Sequence, residues 1–188
     1  MFSRAMSNGR FGMEENSYQS QANGVGGFGA SALRSGAQNE ATDSNRKNVH
    51  LEVAIRYAKE ESLRLGHKYV GSEQLLIGIL RQDKAVAAMV LNSLGVSTDK
   101  ARREMKNIIG YGNAMGEVTE EDLHSTLLFR RIVETAFEIS RRFRSDEVRT
   151  EHLLLAIIAN ERGVAVRILD VLNVDLNRLL FLINEVDK

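Results

Sequence analysis

The strongest constraint on the fold is an internal repeat with a spacing of 78 residues. Residues 71–80 (GSEQLLIGIL) and residues 149–158 (RTEHLLLAII) both place a hydroxyl residue and a glutamate ahead of an apolar run. Chance does not align many apolar positions at one spacing without a gap, so the chain is predicted to contain two copies of one structural unit. The aligned pairs include Val70 with Val148, Leu75 with Leu153, Ile79 with Ile157, Val86 with Val164, Leu91 with Leu169 and Val96 with Val174.

Helical periodicity dominates both copies, and neither shows the alternation of a strand. Gly95 and Asn173 follow the third helix of each copy, and both residue types readily adopt the left-handed conformation at a helix C-terminus. One four-helix copy leaves part of its apolar surface open. We therefore expect an all-α domain in which two four-helix repeats pack with pseudo-twofold symmetry as eight helices. The predicted helices are 48–66, 72–82, 84–94, 98–110, 124–144, 150–160, 162–172 and 175–187.

Residues 1–46 differ from the rest in composition. They contain seven of the fifteen glycines, seven serines and few apolar residues. Such a segment cannot bury enough surface to offset the entropy of ordering, so it is predicted to be a flexible, disordered arm. The predicted folded domain is 47–188, with repeat one at 47–110, a linker at 111–122 and repeat two at 123–188.

Charge and composition disfavour several classes of partner. The 25 basic and 25 acidic residues cancel, so no net field attracts the chain to nucleic acid or to an anionic membrane. The uncharged stretch Ala85–Thr98 is too short and too polar to span a bilayer. The absence of cysteine excludes disulfides and thiolate metal sites. Charges four residues apart, such as Glu60 with Arg64, predict ion pairs along exposed helix faces.

The sequence contains no recognisable active site. His50, His67, His124 and His152 lack the spacing of metal ligands on one helix face. No phosphate-binding loop and no calcium loop is present in the sequence. We therefore predict no catalytic residue, no metal and no cofactor.

The duplicated stretch has two interpretations. Ser72 and Thr150 are predicted helix N-caps, each worth about 1 kcal/mol, and Glu73 and Glu151 suit a first turn. Alternatively, a helix N-terminus with a carboxylate beside it fits a ligand whose cation adjoins an anion. Phosphoarginine is such a group.

At these residues the sequence resembles the N-terminal domain of Clp-type unfoldases, especially the ClpC kind. The resemblance covers residues 47–188, and even the opening residues 1–4 (MFSR) look like the usual start of that family. Its specific motifs are Glu61-Ser62-Leu63-Arg64-Leu65-Gly66-His67, Val70-Gly71-Ser72-Glu73, Leu94-Gly95-Val96-Ser97 and Arg149-Thr150-Glu151-His152-Leu153-Leu154.

The resemblance implies a domain that receives substrates and adaptor proteins for an ATP-driven unfoldase feeding the ClpP protease. In ClpC-like members the glutamate of each Gly-Thr-Glu-His motif binds phosphoarginine on marked substrates. The matching residues here are Glu73 and Glu151, with Ser72 and Thr150 beside them.

The sequence departs from that pattern in four places. Ser72 replaces threonine, Gln74 replaces histidine and Arg149 replaces glycine, and the sequence ends at Lys188 with no ATPase ring. Arg149 either adds a contact to an anion or fills the second pocket with its own guanidinium. We place more weight on the first site for that reason.

The expected function is a non-catalytic protein interaction module of Clp protein quality control. Its expected partners are a ClpC-type unfoldase or the ClpP protease complex, adaptor proteins, and unfolded or arginine-phosphorylated substrates. The alternatives are an accessory structural subunit of the ClpP/ClpC complex, the N-terminal fragment of a full-length Clp ATPase, or a phosphoarginine hydrolase, for which no nucleophile is evident. The expected location is the bacterial cytoplasm, with the plastid stroma as the alternative.

Overall fold

The structure, a computed structural model, describes residues 48–112 and 118–186, the last of these without its side chain. The predicted arm 1–46 and the middle of the predicted linker, 113–117, lie outside the described residues. The prediction of an all-α fold with eight helices is confirmed within the described ranges. The helices are α1 Val49–Arg64, α2 Ser72–Leu80, α3 Val86–Ser93, α4 Thr98–Ile109, α5 Leu127–Arg142, α6 Thr150–Ala159, α7 Val164–Val171 and α8 Leu176–Val186.

The helix starts repeat at the predicted spacing. Each of α1 to α4 begins 78 residues before its counterpart among α5 to α8. Gly95 and Asn173 both have positive φ, 82° and 56°, as predicted for helix C-termini. The repeat in the sequence is therefore a repeat in the backbone.

The expectation of a strand-free chain is wrong at one place. Two-residue strands, β1 Tyr69–Val70 and β2 His124–Ser125, pair in parallel. The backbone N–H of His124 donates to Lys68 O at 2.8 Å and that of Thr126 donates to Val70 O at 3.0 Å. These bonds hold residues 124 and 125 extended, which is why α5 begins three residues later than predicted.

The two repeats share one core. Within each repeat the first helix packs on the second, α1 on α2 and α5 on α6. Between repeats α2 contacts α6 and α7, α3 contacts α6 and α8, and α4 contacts α7. Leu75, Leu76, Leu153 and Leu154 are completely buried. The central α2 and α6 are therefore enclosed by helices from both halves, as the predicted packing requires.

At Gly78, α2 packs directly against the backbone of α1. A Cβ at this position would overlap the carbonyl oxygen of Ala54, which is a backbone atom and cannot rotate away. The counterpart in the second repeat is Ala156, which is fully buried. In the first repeat, α1 and α2 therefore pack so closely that only glycine fits at position 78.

The predicted ion pair between Glu60 and Arg64 does not form in the described structure. Arg64 instead bonds the neighbouring Glu61 through Nη2 at 2.9 Å, and Glu60 binds Arg81 at 2.7 Å. Arg102 of α4 also donates to Glu61, through both Nε and Nη2. The pairing differs because Glu61 lies on the buried face of α1, where it is 1% exposed, and the arginines converge on it.

Glu61 carries its charge within this cluster. Burial alone would raise the pKa of its carboxyl, but the bond from Arg102 and the charges of Arg102 and Arg64 outweigh burial and leave the pKa below its usual value of 4.5. At the equivalent positions of the second repeat, apolar Ile139 and Leu180 stand in place of Glu61 and Arg102. The charged cluster is therefore particular to repeat one.

Candidate functional site

Ser72 and Thr150 are not the N-cap residues of their helices, contrary to the prediction. They are the first helical residues of α2 and α6, and the N-cap positions belong to Gly71 and Arg149. The backbone N–H of Gly71 donates to Gln74 Oε1 at 2.8 Å, and that of Arg149 donates to His152 Nδ1 at 3.1 Å. The hydroxyl of the first helical residue, Ser72 or Thr150, takes no part in these bonds.

A partner of each hydroxyl lies in the other repeat. Ser72 Oγ accepts the backbone N–H of Ala165 in α7 at 3.2 Å, and Thr150 Oγ1 accepts that of Ala87 in α3 at 3.4 Å. The N-cap residues of α3 and α7 make no side-chain cap hydrogen bond themselves. Each motif therefore caps the third helix of the opposite repeat, and we call this pair of contacts the reciprocal caps.

The two glutamates are held by the same hydroxyls. Ser72 Oγ donates to Glu73 Oε2 at 3.2 Å, and Thr150 Oγ1 donates to Glu151 Oε2 at 3.2 Å. A hydroxyl has a single hydrogen, so in this arrangement neither hydroxyl has one left for a bound anion. The carboxylates remain as the groups that could meet a cation, and the hydroxyls orient them.

The two carboxylates differ in access. Glu73 is half-buried, and it folds back over Gly71, where an added Cβ would lie 2.6 Å from Glu73 Oε1. Glu151 is 2% exposed. Glu73 is therefore the more accessible of the two glutamates.

Arg149 stands beside the second carboxylate. Its Nε lies 2.8 Å from Glu147 Oε1, and its Nη1 lies 4.0 Å from Glu151 Oε1. An adjoining cleft of about 380 Å³ contains Arg149 in its wall. The remaining lining residues are Phe143, Arg144, Ser145, Asp146, Glu147 and His152.

Removing the hydroxyl of Ser72 tests the reciprocal caps. Ser72→Ala leaves the buried N–H of Ala165 without its acceptor, so we expect the free energy of unfolding to fall by about 1–2 kcal/mol. Urea denaturation followed by circular dichroism measures this loss. The matched control is Ser93→Ala on the exposed end of α3, where the expected change is within about 0.5 kcal/mol. Equal, small effects for both variants would contradict a capping role for Ser72.

Two further properties concern ions and membranes. Among the described residues, no group of three or more His, Cys, Asp or Glu side chains is placed to hold a metal ion. Over the same residues, no helix combines the length and the apolar character needed to cross a bilayer.

Comparison with known proteins gives a consistent family assignment. The family description "Clp repeat (R) N-terminal domain" matches residues 46–172 and 124–186. A Bacillus subtilis (strain 168) protein, the negative regulator of genetic competence ClpC/MecB, is 36% identical over 127 residues, covering 68% of this chain and 15% of the relative. The ClpA homolog of Cyanidium caldarium, an ATP-binding subunit of the ATP-dependent Clp protease, is 42% identical over 125 residues, 66% of this chain and 14% of that protein.

A solved structure supports the fold. The N-terminal domain of the caseinolytic protease associated chaperone ClpD from Arabidopsis thaliana aligns with a TM-score of 0.64 and 24% identity, covering 77% of this chain and 99% of that one. At this identity the likeness concerns the fold alone. The curated relatives are much longer, and the chain spans about one seventh of their length.

Proposed function

Since this chain belongs to the Clp repeat N-terminal domain family, we propose that it is a non-catalytic protein interaction module of Clp protein quality control. The proposed module is 47–188, with repeat one at 47–110, a linker at 111–122 and repeat two at 123–188. Its proposed partners are a ClpC-type unfoldase or the ClpP protease complex, adaptor proteins, and unfolded or arginine-phosphorylated substrates.

The observation that carries this proposal is the carboxylate of the half-buried residue Glu73 at the start of α2, oriented by Ser72. A carboxylate in this position accepts a guanidinium through a charge-assisted hydrogen bond. The first-turn amides of a helix lack intrahelical partners and favour an anion. A guanidinium that carries a phosphoryl group meets both requirements at once. Thr150 and Glu151 repeat this layout in the second motif.

The relatives also bear on location. They include the Bacillus subtilis protein and a rice protein described as chloroplastic. We propose the bacterial cytoplasm for this protein, with the plastid stroma as the alternative.

Replacing Glu73 tests the site. Glu73→Ala is expected to weaken phosphoarginine binding about tenfold, because a charge-assisted bond to a guanidinium is worth roughly 1.5–3 kcal/mol and this carboxylate is partly solvated. The loss in unfolding free energy should stay below about 1 kcal/mol, since a first-turn helix-dipole contact is small. Calorimetric titration with phosphoarginine, and with arginine and phosphoserine for comparison, measures the binding.

The matched control is Glu52→Ala, which removes another first-turn glutamate, on α1. It should leave binding unchanged. If the unaltered protein binds no phosphoarginine, or if Glu73→Ala binds as well as the unaltered protein, the proposed recognition role is wrong. Release of inorganic phosphate from a phosphoarginine peptide would instead indicate an enzyme.

A further inference from the structure

We propose that Arg149 occupies the second site with its own guanidinium, so that the chain offers a single open site, at Glu73, for a guanidinium-bearing ligand. This inference rests on the proposed function and concerns how the two motifs differ. In this proposal Arg149 is an intramolecular competitor of the ligand at the second motif.

The geometry of Arg149 supports this assignment. The bond from its Nε to Glu147 Oε1, at 2.8 Å, fixes the plane of the guanidinium. Nη1 lies 4.0 Å from Glu151 Oε1, which is the distance of a loose ion pair. One guanidinium thus lies between two carboxylates, and one of these is the carboxylate that a ligand would need.

The first repeat has no such arrangement. The counterpart of Arg149 is Gly71, and the counterpart of Glu147 is Tyr69. A glycine brings no charge, and its missing Cβ leaves the space into which the Glu73 carboxylate folds. Repeat one therefore has no cation at the position of Arg149 and no acid at the position of Glu147. The Glu73 carboxylate is not paired from either position.

The two glutamates also differ in burial. Glu151 is 2% exposed, whereas Glu73 is half-buried. A ligand approaching Glu151 must first displace the guanidinium of Arg149. Because that group is tethered two residues away, its effective concentration at Glu151 is far above that of a free ligand. The second site is therefore closed to guanidinium ligands while Arg149 remains paired.

Binding stoichiometry tests the closure. Calorimetric titration with phosphoarginine should give about one ligand per unaltered chain and about two per Arg149→Gly chain, because the tethered competitor is removed. The matched control is Arg144→Gly. Arg144 lines the same cleft and makes no ion pair with Glu151 within the described residues. Its φ of 55° lies in the left-handed region that glycine adopts readily, so the replacement does not strain the backbone. Its replacement should leave the stoichiometry at about one.

A second measurement does not depend on phosphoarginine. In nitrogen-15 NMR spectra, the Nε–H of Arg149 should exchange slowly with water, and Glu147→Gln should accelerate that exchange. Arg144 and Arg149 are both exposed, so an exchange rate for Arg149 equal to that of Arg144 would overturn the inference, because the Nε–H would then lack its bond to Glu147.

The outcomes separate this inference from the proposed function. Two ligands per unaltered chain would leave the proposed function standing and overturn the closure. One ligand for both the unaltered chain and Arg149→Gly would also overturn it. Binding to neither protein would refute the proposed recognition of phosphoarginine at Glu73, and with it the closure of the second site.

Discussion

Replacing Glu61 with alanine is expected to lower the free energy of unfolding by about 3 kcal/mol, because three partly exposed arginines then lose the buried carboxylate that they share and repel one another. Arg64, Arg81 and Arg102 all lie within 4 Å of this carboxylate. For a domain of this size such a loss corresponds to a fall in Tm of about 6–12 °C. Thermal and urea denaturation measure both quantities.

The control for Glu61 is its sequence neighbour. The side chain of Glu60 is 47% exposed and pairs with Arg81 at 2.7 Å, so Glu60→Ala should cost less than about 1 kcal/mol. A loss for Glu61→Ala as small as that for Glu60→Ala would contradict the structural role of the cluster.

The cluster also predicts a pH dependence. The pKa of Glu61 in the folded protein lies below 4.5. The contribution of its charge to the free energy of unfolding is therefore present above about pH 4.5 and is lost as the pH falls through the lowered pKa. The difference in stability between the unaltered protein and Glu61→Gln should therefore shrink below about pH 4.5. A difference that stays constant as the pH falls would show that the Glu61 charge does not stabilise the fold.

Replacing Gly78 with alanine is expected to lower the free energy of unfolding by a net amount of about 2–3 kcal/mol. Helix propensity alone predicts the opposite sign, a gain of about 1 kcal/mol. The added Cβ would overlap Ala54 O, and a backbone atom moves only if α1 and α2 separate, which is costly in a close-packed core. The sign of the change, measured by urea denaturation, decides between propensity and packing.

Ala156 provides the comparison for Gly78. It occupies the same place in repeat two, where α6 accepts a methyl group in a fully buried position. Ala156→Gly should also destabilise, by about 1–2 kcal/mol, through lost propensity and a small cavity. Stabilisation by Gly78→Ala would show that the helices can separate without cost and would contradict the close approach described above.

Most of the backbone could be predicted from the sequence because the repeat supplies two independent observations of each helix. Apolar positions at the 78-residue spacing locate the helices, and Gly95 and Asn173 locate two of the helix ends. The short pairing of β1 with β2 was missed, since two residues cannot show a strand period. Only the three-dimensional course of the chain brings Tyr69 beside His124.

The role of Ser72 was misassigned for a related reason. Local rules connect a hydroxyl at a helix start to its own helix, whereas the donor to Ser72 lies in Ala165, 93 residues later in the sequence. No local pattern contains that partner. The sequence did contain a signal for Glu61, because this residue follows buried Ala54 and Ala58 at helix spacing on the same face. An acid in that stripe predicts a buried charge with partners.

The reciprocal caps resemble the paired contacts at the interface of a twofold symmetric dimer, with the two subunits joined here into one polypeptide. In an isologous dimer each subunit offers the same group to the other, as Ser72 and Thr150 do here across the two halves. A true dimer falls apart on dilution, because its stability depends on protomer concentration. Here the covalent connection removes that dependence. Because each half caps the third helix of the other and both contribute to one core, we expect the two halves to melt together in one transition that dilution does not change.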